Sequence, residues 1–305
     1  MACTLAVVAA VTLACDKSTP AQPSSAAAAP VTVGATPDPC AVTTGGPAGP
    51  VTDPSGPFFH SVAVARTADG VHLTGAHSVL DHASVPDGVL GPGGDTFVYY
   101  VNGAAGYVWA GRTDGSSLTP IGPISLNGNA SPAGVVDPDA TRLPGGRIRL
   151  AYLGGFGAPN SASARAMCLA DSDDGVAFTV VGPAYDIPAG DTLTDPSLAR
   201  LTDGSWLMAM SRGQQTVMAR SGDGLRFGVY DTLTYGGVPE VATLADGRVR
   251  LYVCAGGIVS YLSSDSGRSW TREDTVVAPG TLGARIICDP SWVPDTGLFI
   301  FKIAQ

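Results

Sequence analysis

The chain has 305 residues, 45% of them hydrophobic and only 14% charged, with 40 Gly and 24 Pro. A formal net charge of −9 argues against a nucleic-acid partner, because phosphate binding needs a basic face. No long amphipathic helical stretch appears, and the Gly and Pro load predicts one large all-β domain with many turns.

Residues 1–15, MACTLAVVAAVTLAC, are apolar, uncharged and too short for a stable membrane span, which fits the hydrophobic region of a secretory signal. The end of this segment, Val11-Thr-Leu-Ala-Cys15, resembles a bacterial lipobox and marks Cys15 as the residue to be lipidated. The expected location is therefore extracytoplasmic, on a lipid anchor or secreted. Residues 16–56 are rich in Ser, Thr, Ala and Pro, cannot bury enough apolar surface to fold alone, and read as a flexible tether. Cys40, Cys168, Cys254 and Cys288 are compatible with an oxidising compartment, and four cysteines allow three pairings that the sequence does not rank. Neither Cys-x-x-Cys nor a Cys/His cluster points to a metal, and no cofactor is expected.

Residues 57–305 are built from a repeat. Its clearest copy runs from Gly236 to Trp270, where short alternating strands are joined by turns such as Asp246-Gly247. Gly supplies the positive φ that a twisted two-strand turn needs. Three earlier copies open at Ser84-Val-Pro-Asp87, Val136-Asp137-Pro and Thr194-Asp195-Pro. A half copy, Cys288-Asp289-Pro-Ser-Trp292 followed by Leu298–Ile303, ends the chain. The complementary half lies at the front, in Ser61–Arg66, the turn Asp69-Gly70 and Val71–Thr74. Four copies and two matching halves predict a five-bladed β-propeller closed by pairing of N- and C-terminal strands, which removes long free sheet edges. A stacked sandwich would leave the complementary halves unexplained.

The turn Ser263-Ser-Asp265-Ser-Gly267-Arg-Ser-Trp270 resembles the Asp-box of sialidases and related propellers, with shorter versions at Ser172–Phe178 and Ser221–Phe227. Its role is structural: Asp binds turn amides and Gly takes positive φ. The chemistry is expected elsewhere. First strands of propeller blades line the axis, and each of them carries a carboxylate near its start: Asp87, Asp137, Asp195, Glu240 and Asp289. Five like charges converging on one mouth raise some pKa values and cost stability, as acid/base chemistry on a polar substrate requires.

This arrangement resembles five-bladed glycoside hydrolases of the arabinanase and β-xylosidase type. The resemblance implies catalytic roles for Asp87 as base, Asp195 as the acid that tunes pKa, and Glu240 as proton donor, acting on a carbohydrate. The family writes Asp-Pro at the base and Glu-Gly-Pro at the donor, whereas this chain has Pro86-Asp87 and Pro239-Glu240, so Asp137 or Asp81 could replace Asp87. Asp137, Asp289, His82 and Trp292 are candidates for substrate binding, with His77 and Phe156 as weaker ones. Opposite walls of a mouth favour inversion, whose carboxylates stand roughly 6.5–9.5 Å apart. Three alternatives compete. A sialidase-like enzyme would need an arginine triad, for which Arg142, Arg200 and Arg285 are the available residues. A monomeric surface protein could bind glycans or proteins without turnover, and an oxygen-rich ring could hold calcium.

Overall fold

The computed structural model describes residues 38–40, 49–50, 53–130, 134–156 and 164–305. The expected leader, with Cys15, and most of the expected tether lie outside the described residues.

The described chain is all-β apart from two short 3-10 turns, and its five sheets form a five-bladed propeller. The first blade contains Ala83–Leu90, Thr96–Asn102, Val108–Thr113 and Leu118–Pro123. The second contains Val135–Arg142, Ile148–Gly154, Arg165–Ser172 and Ala177–Ile187, with Ser125–Leu126 added in parallel at its outer edge. The third runs through Thr194–Arg200, Trp206–Arg212, Gln215–Ser221 and Gly228–Leu233. The fourth runs through Gly237–Thr243, Val249–Cys254, Ile258–Ser263 and Thr271–Val277. The fifth joins the chain ends: Ile286–Val293 and Leu298–Ala304 are completed by His60–Arg66 and Thr74–Asp81. His60–Arg66 pairs antiparallel with Leu298–Ala304 over its whole length, so the two half copies close the ring.

Two outermost strands start later than the alternation predicts. In the fifth blade the strand begins at Thr74 instead of Val71, because Asp69 Oδ1 accepts the amides of both Val71 and His72 at 2.9 Å and prolongs the turn. Asp223 does the same to Leu225, where the alternation predicts a strand over Leu225–Tyr230, and the strand there begins at Gly228. The turn Ser263–Ser269 is held by this chemistry too: Asp265 accepts the amides of Arg268 and Ser269, and Gly267, at φ +82°, donates to Ser263 Oγ.

Blades are stitched to their neighbours at these turns. Arg149, Arg220, Arg250 and Arg66 each donate to a turn carbonyl of the next blade, at Gly224, Ser266, Asp69 and Asp114 respectively. Tyr99 completes the circuit by donating to the Gly175 carbonyl at 2.8 Å. Buried apolar clusters fill the space between blades, with Tyr99, Tyr152, Tyr252, Phe299 and Phe301 among the largest fully buried side chains. The cysteines pair as Cys40–Cys168 and Cys254–Cys288. Within the stretch expected to be a free tether, Cys40 is therefore fixed, buried against the second blade.

Candidate active site

The five first strands share one irregularity. In each, the pairing with the second strand skips two residues, between Ser84 and Asp87, Val136 and Asp139, Thr194 and Ser197, Gly237 and Glu240, and Cys288 and Ser291. Each bulge holds a proline and the residue before it. Those preceding residues, Val85, Asp137, Asp195, Val238 and Asp289, all lie in the left-handed region, at φ +50°, +52°, +47°, +46° and +49°. Such a conformation costs about 1–3 kcal/mol per non-glycine residue and is rarest for β-branched ones, so five repeats of it mark a position the fold over-determines.

The bulges divide the axis into two tiers. Residues before the prolines form the mouth tier, in which Asp137 and Asp195 are half-buried and open to solvent. Residues after the prolines, Asp87, Asp139, Ser197, Glu240 and Ser291, form a deeper tier. The five expected carboxylates do converge on one cavity, but from two registers: Asp137, Asp195 and Asp289 precede their prolines, with Asp289 4% exposed beneath its two half-buried neighbours, and Asp87 and Glu240 follow theirs, 6% and 8% exposed. The difference in register has a simple cause. The repeat is in register on its prolines, and the two acids follow theirs where the other three precede it.

The deeper tier is a belt. Asp87 Oδ2 accepts the Ala140 amide at 2.6 Å, Asp139 Oδ2 the Leu198 amide at 3.0 Å, and Ser197 Oγ the Val241 amide at 2.9 Å. Glu240 accepts the Trp292 amide, and Ser291 Oγ accepts the Gly88 amide at 2.9 Å, which returns to the first blade. Every side chain binds the amide one residue past its counterpart in the next blade, so the belt circles the axis without a gap. Ser197 also donates to Glu240 Oε2 at 2.7 Å. Oxygens of Asp87, Asp139 and Glu240 approach within 4.8 Å of one another. Burial, then the Asp87 charge, pushes Asp139 and Glu240 well above the carboxylate range, and burial raises Asp87 to about 7. Asp139 carries no weight in the repeat when it is aligned on acids, although Asp137-Pro-Asp139 offers it as soon as the prolines are superposed.

At the mouth, Asp195 donates its amide to Asp137 Oδ2 at 3.3 Å and accepts from Thr194 Oγ1 at 2.6 Å. Burial, then the charges of Asp195 and Asp289, raises Asp137 well above its ordinary value, whereas burial and Asp289 bring Asp195 to about 6. Asp289 is ion-paired with Lys302, whose stem is buried in the second strand of the fifth blade. Burial opposes the Lys302 charge, but Asp289, Asp195 and Asp137 outweigh it and hold its pKa up. The signal for Lys302 was available: apart from Lys17 it is the only lysine of the chain, set in an otherwise apolar strand. The two tiers enclose a cavity of about 30 Å³, room for water but not for a sugar, so a substrate would rest on the mouth tier instead of passing it.

Of the other expected residues, His82 is held outside the mouth, stacked on Phe58 at 4.0 Å, with Nδ1 2.6 Å from the Phe58 carbonyl. Trp292 is core: it packs edge-on to Tyr252, under the Arg250 guanidinium, between the fourth and fifth blades. His77 and Asp81 belong to the outermost strand of the fifth blade, and Phe156 is exposed beyond the second blade's second strand. Arg142 and Arg200 line a cavity of about 210 Å³ at the far end of the axis, and Arg285 stands at the mouth end, so the three arginines do not converge.

Solved structures share this architecture. A thermostable family-43 glycoside hydrolase superposes with a TM-score of 0.54 at 11% identity, covering 72% of this chain and 83% of that one. An α-L-arabinofuranosidase from Clostridium thermocellum gives 0.53 at 17% identity, over 69% of this chain and 78% of its own. An endo-1,4-β-xylanase from Bacteroides thetaiotaomicron gives 0.52 at 15% identity, over 72% and 84%. No protein-family model matches the chain, and no curated protein matches it. At such identities the likeness is one of fold, and the chemistry must be read from this chain's own tiers.

Proposed function

We propose that this protein is an extracytoplasmic glycoside hydrolase that works at the mouth tier, with Asp137, Asp195 and Asp289 as its carboxylates. The observation that carries the reading is the contact of two mouth acids on adjacent blades, Asp195 N–H to Asp137 Oδ2 at 3.3 Å, with Asp137 pushed well above the carboxylate range by burial and the charges of Asp195 and Asp289, and Asp195 raised to about 6. Pairs pushed apart in this way divide the roles of acid and base. Asp137 gives its proton to the glycosidic oxygen as the bond to the anomeric carbon breaks. Asp195 takes a proton from the water that attacks that carbon, so each product leaves with a hydroxyl. The Asp289–Lys302 pair fixes the field in which both titrate. Asp195 keeps a site role, as base instead of tuner, while Asp87 and Glu240 pass to the belt.

The fold likeness to glycoside hydrolases supports the substrate class, and two disulfides support an oxidising compartment, in keeping with a leader ending at Cys15 and a lipid anchor. A second reading, glycan binding without turnover, draws on Val85 and Val238, which occupy two of the five mouth positions. Hydrolysis of a panel of aryl glycosides separates the two. The hydrolase reading expects turnover that falls about 10²–10⁴-fold in Asp195→Asn and in Asp137→Asn with melting temperature retained. Turnover that survives both substitutions, or its absence across the panel, contradicts the reading.

A further inference from the structure

On the mouth face, above the fifth blade where the ring closes, lies a cleft of about 540 Å³ lined by Asp53, Ser55, Phe59, His60, Arg285 and Ile286, among others. That volume is in the range of small-molecule sites, unlike the 30 Å³ between the tiers. Two large apolar side chains face solvent there, Phe59 at 52% exposure and Ile286 at 46%. Exposed side chains of this size in a concave setting with a few polar groups are what a binding site looks like.

The platform is built, not incidental. Phe59 ends the 3-10 turn Pro57–Phe59, and this turn is clamped to the first blade through its neighbour. Phe58 stacks on His82, and His82 Nδ1 binds the Phe58 carbonyl. Gly103 lets the turn sit down, because a Cβ there would lie 2.4 Å from the Phe58 nitrogen. Phe58 thus takes the anchoring role and holds Phe59 edge-on at 5.4 Å, over the cleft. His60 links the cleft to the mouth: its Nδ1 is 2.8 Å from Ser84 Oγ, and it feels the charges of Lys302 and Asp289. Ile286 is three residues before Asp289 on one strand, about 10 Å away.

We propose that this cleft binds the sugar residue next to the one at the mouth, with the Phe59 ring against its C–H face and Arg285, Ser55 and Asp53 around its hydroxyls. The proposal rests on the glycan reading above and adds a subsite to it. Arg285 and Asp53 bring opposite charges to the cleft, and Arg285 already donates to the Gln305 carbonyl at 2.9 Å, so no single charge is on offer and the occupant is a neutral sugar. The test is calorimetric titration of the full chain carrying Asp195→Asn with short arabino- and xylo-oligosaccharides, with and without Phe59→Ala or Ile286→Ser. Binding that weakens roughly tenfold in both cleft variants supports the subsite. Binding unchanged in both overturns it, as does the absence of binding to every oligosaccharide. If binding depends on Phe59 but the unsubstituted protein hydrolyses nothing, the cleft stands and the hydrolase reading falls. A dimer in light scattering that Phe59→Ala dissolves gives the cleft to a second copy and also overturns the proposal.

Discussion

Replacing Ser197 by Ala removes a single oxygen from the belt and breaks two of its bonds. The Val241 amide loses its acceptor, and Glu240 Oε2 loses its donor, both in a region closed to water. A buried polar group left without a partner costs about 1–3 kcal/mol, so the pair amounts to roughly 2–4 kcal/mol once partial relaxation is allowed. At about 2–4 °C per kcal/mol for a domain approaching this size, the melting temperature falls by roughly 5–10 °C. Ser116→Ala is the control, since its hydroxyl binds Asp114 on an exposed turn and its loss stays within about 0.5 kcal/mol. Calorimetry and urea unfolding with an unchanged m-value measure both. If Ser197→Ala melts with the unsubstituted protein, the after-proline residues are not what holds the blades together, and the division into a structural tier and a mouth tier loses its basis.

Asp87 in the belt and Asp195 at the mouth together set a pH dependence. Asp87 and Asp195 have folded-state values of about 7 and about 6, raised by burial, so their contribution is complete below the ordinary aspartate pKa and is lost as pH rises through those values. The urea midpoint should therefore fall between about pH 4 and pH 7, and Asp87→Asn should flatten that slope; a midpoint rising over this interval contradicts the assignment. In kinetics, kcat/KM should climb with pH along a limb near pH 6 that disappears in Asp195→Asn, and a limb near pH 4 would place the base elsewhere. Converting both Cys254 and Cys288 to Ala frees a 34-residue separation between the fourth and fifth blades and should cost about 3–4 kcal/mol in urea unfolding, with no change expected if the bond does not form in the cell.

The blades were legible because turn chemistry and two-residue alternation are local, and the half copies at Ser61–Arg66 and Leu298–Ile303 announced their own pairing. What the linear pattern concealed was which side of the proline each acid occupies. A shift of two residues across a bulge changes the depth of a side chain, and Asp87 and Glu240 look equivalent to Asp195 until the prolines are aligned. Lys302 escaped because one cation in an apolar strand reads as an edge residue until the sheet is closed around it. His82 is spent on Phe58, a contact between residues 24 apart that no spacing rule anticipates. The start of the strand at Thr74 was missed because one side chain, Asp69, captures two amides in a row.

The most direct test of the two-tier account sets Asp195→Asn beside Glu240→Gln in the same aryl-glycoside and melting assays. The account predicts that Asp195→Asn loses turnover and keeps its melting temperature, while Glu240→Gln loses stability through the Ser197 and Trp292 contacts. The opposite pattern, with Glu240→Gln inactive at full stability and Asp195→Asn active, would return the chemistry to the deeper tier.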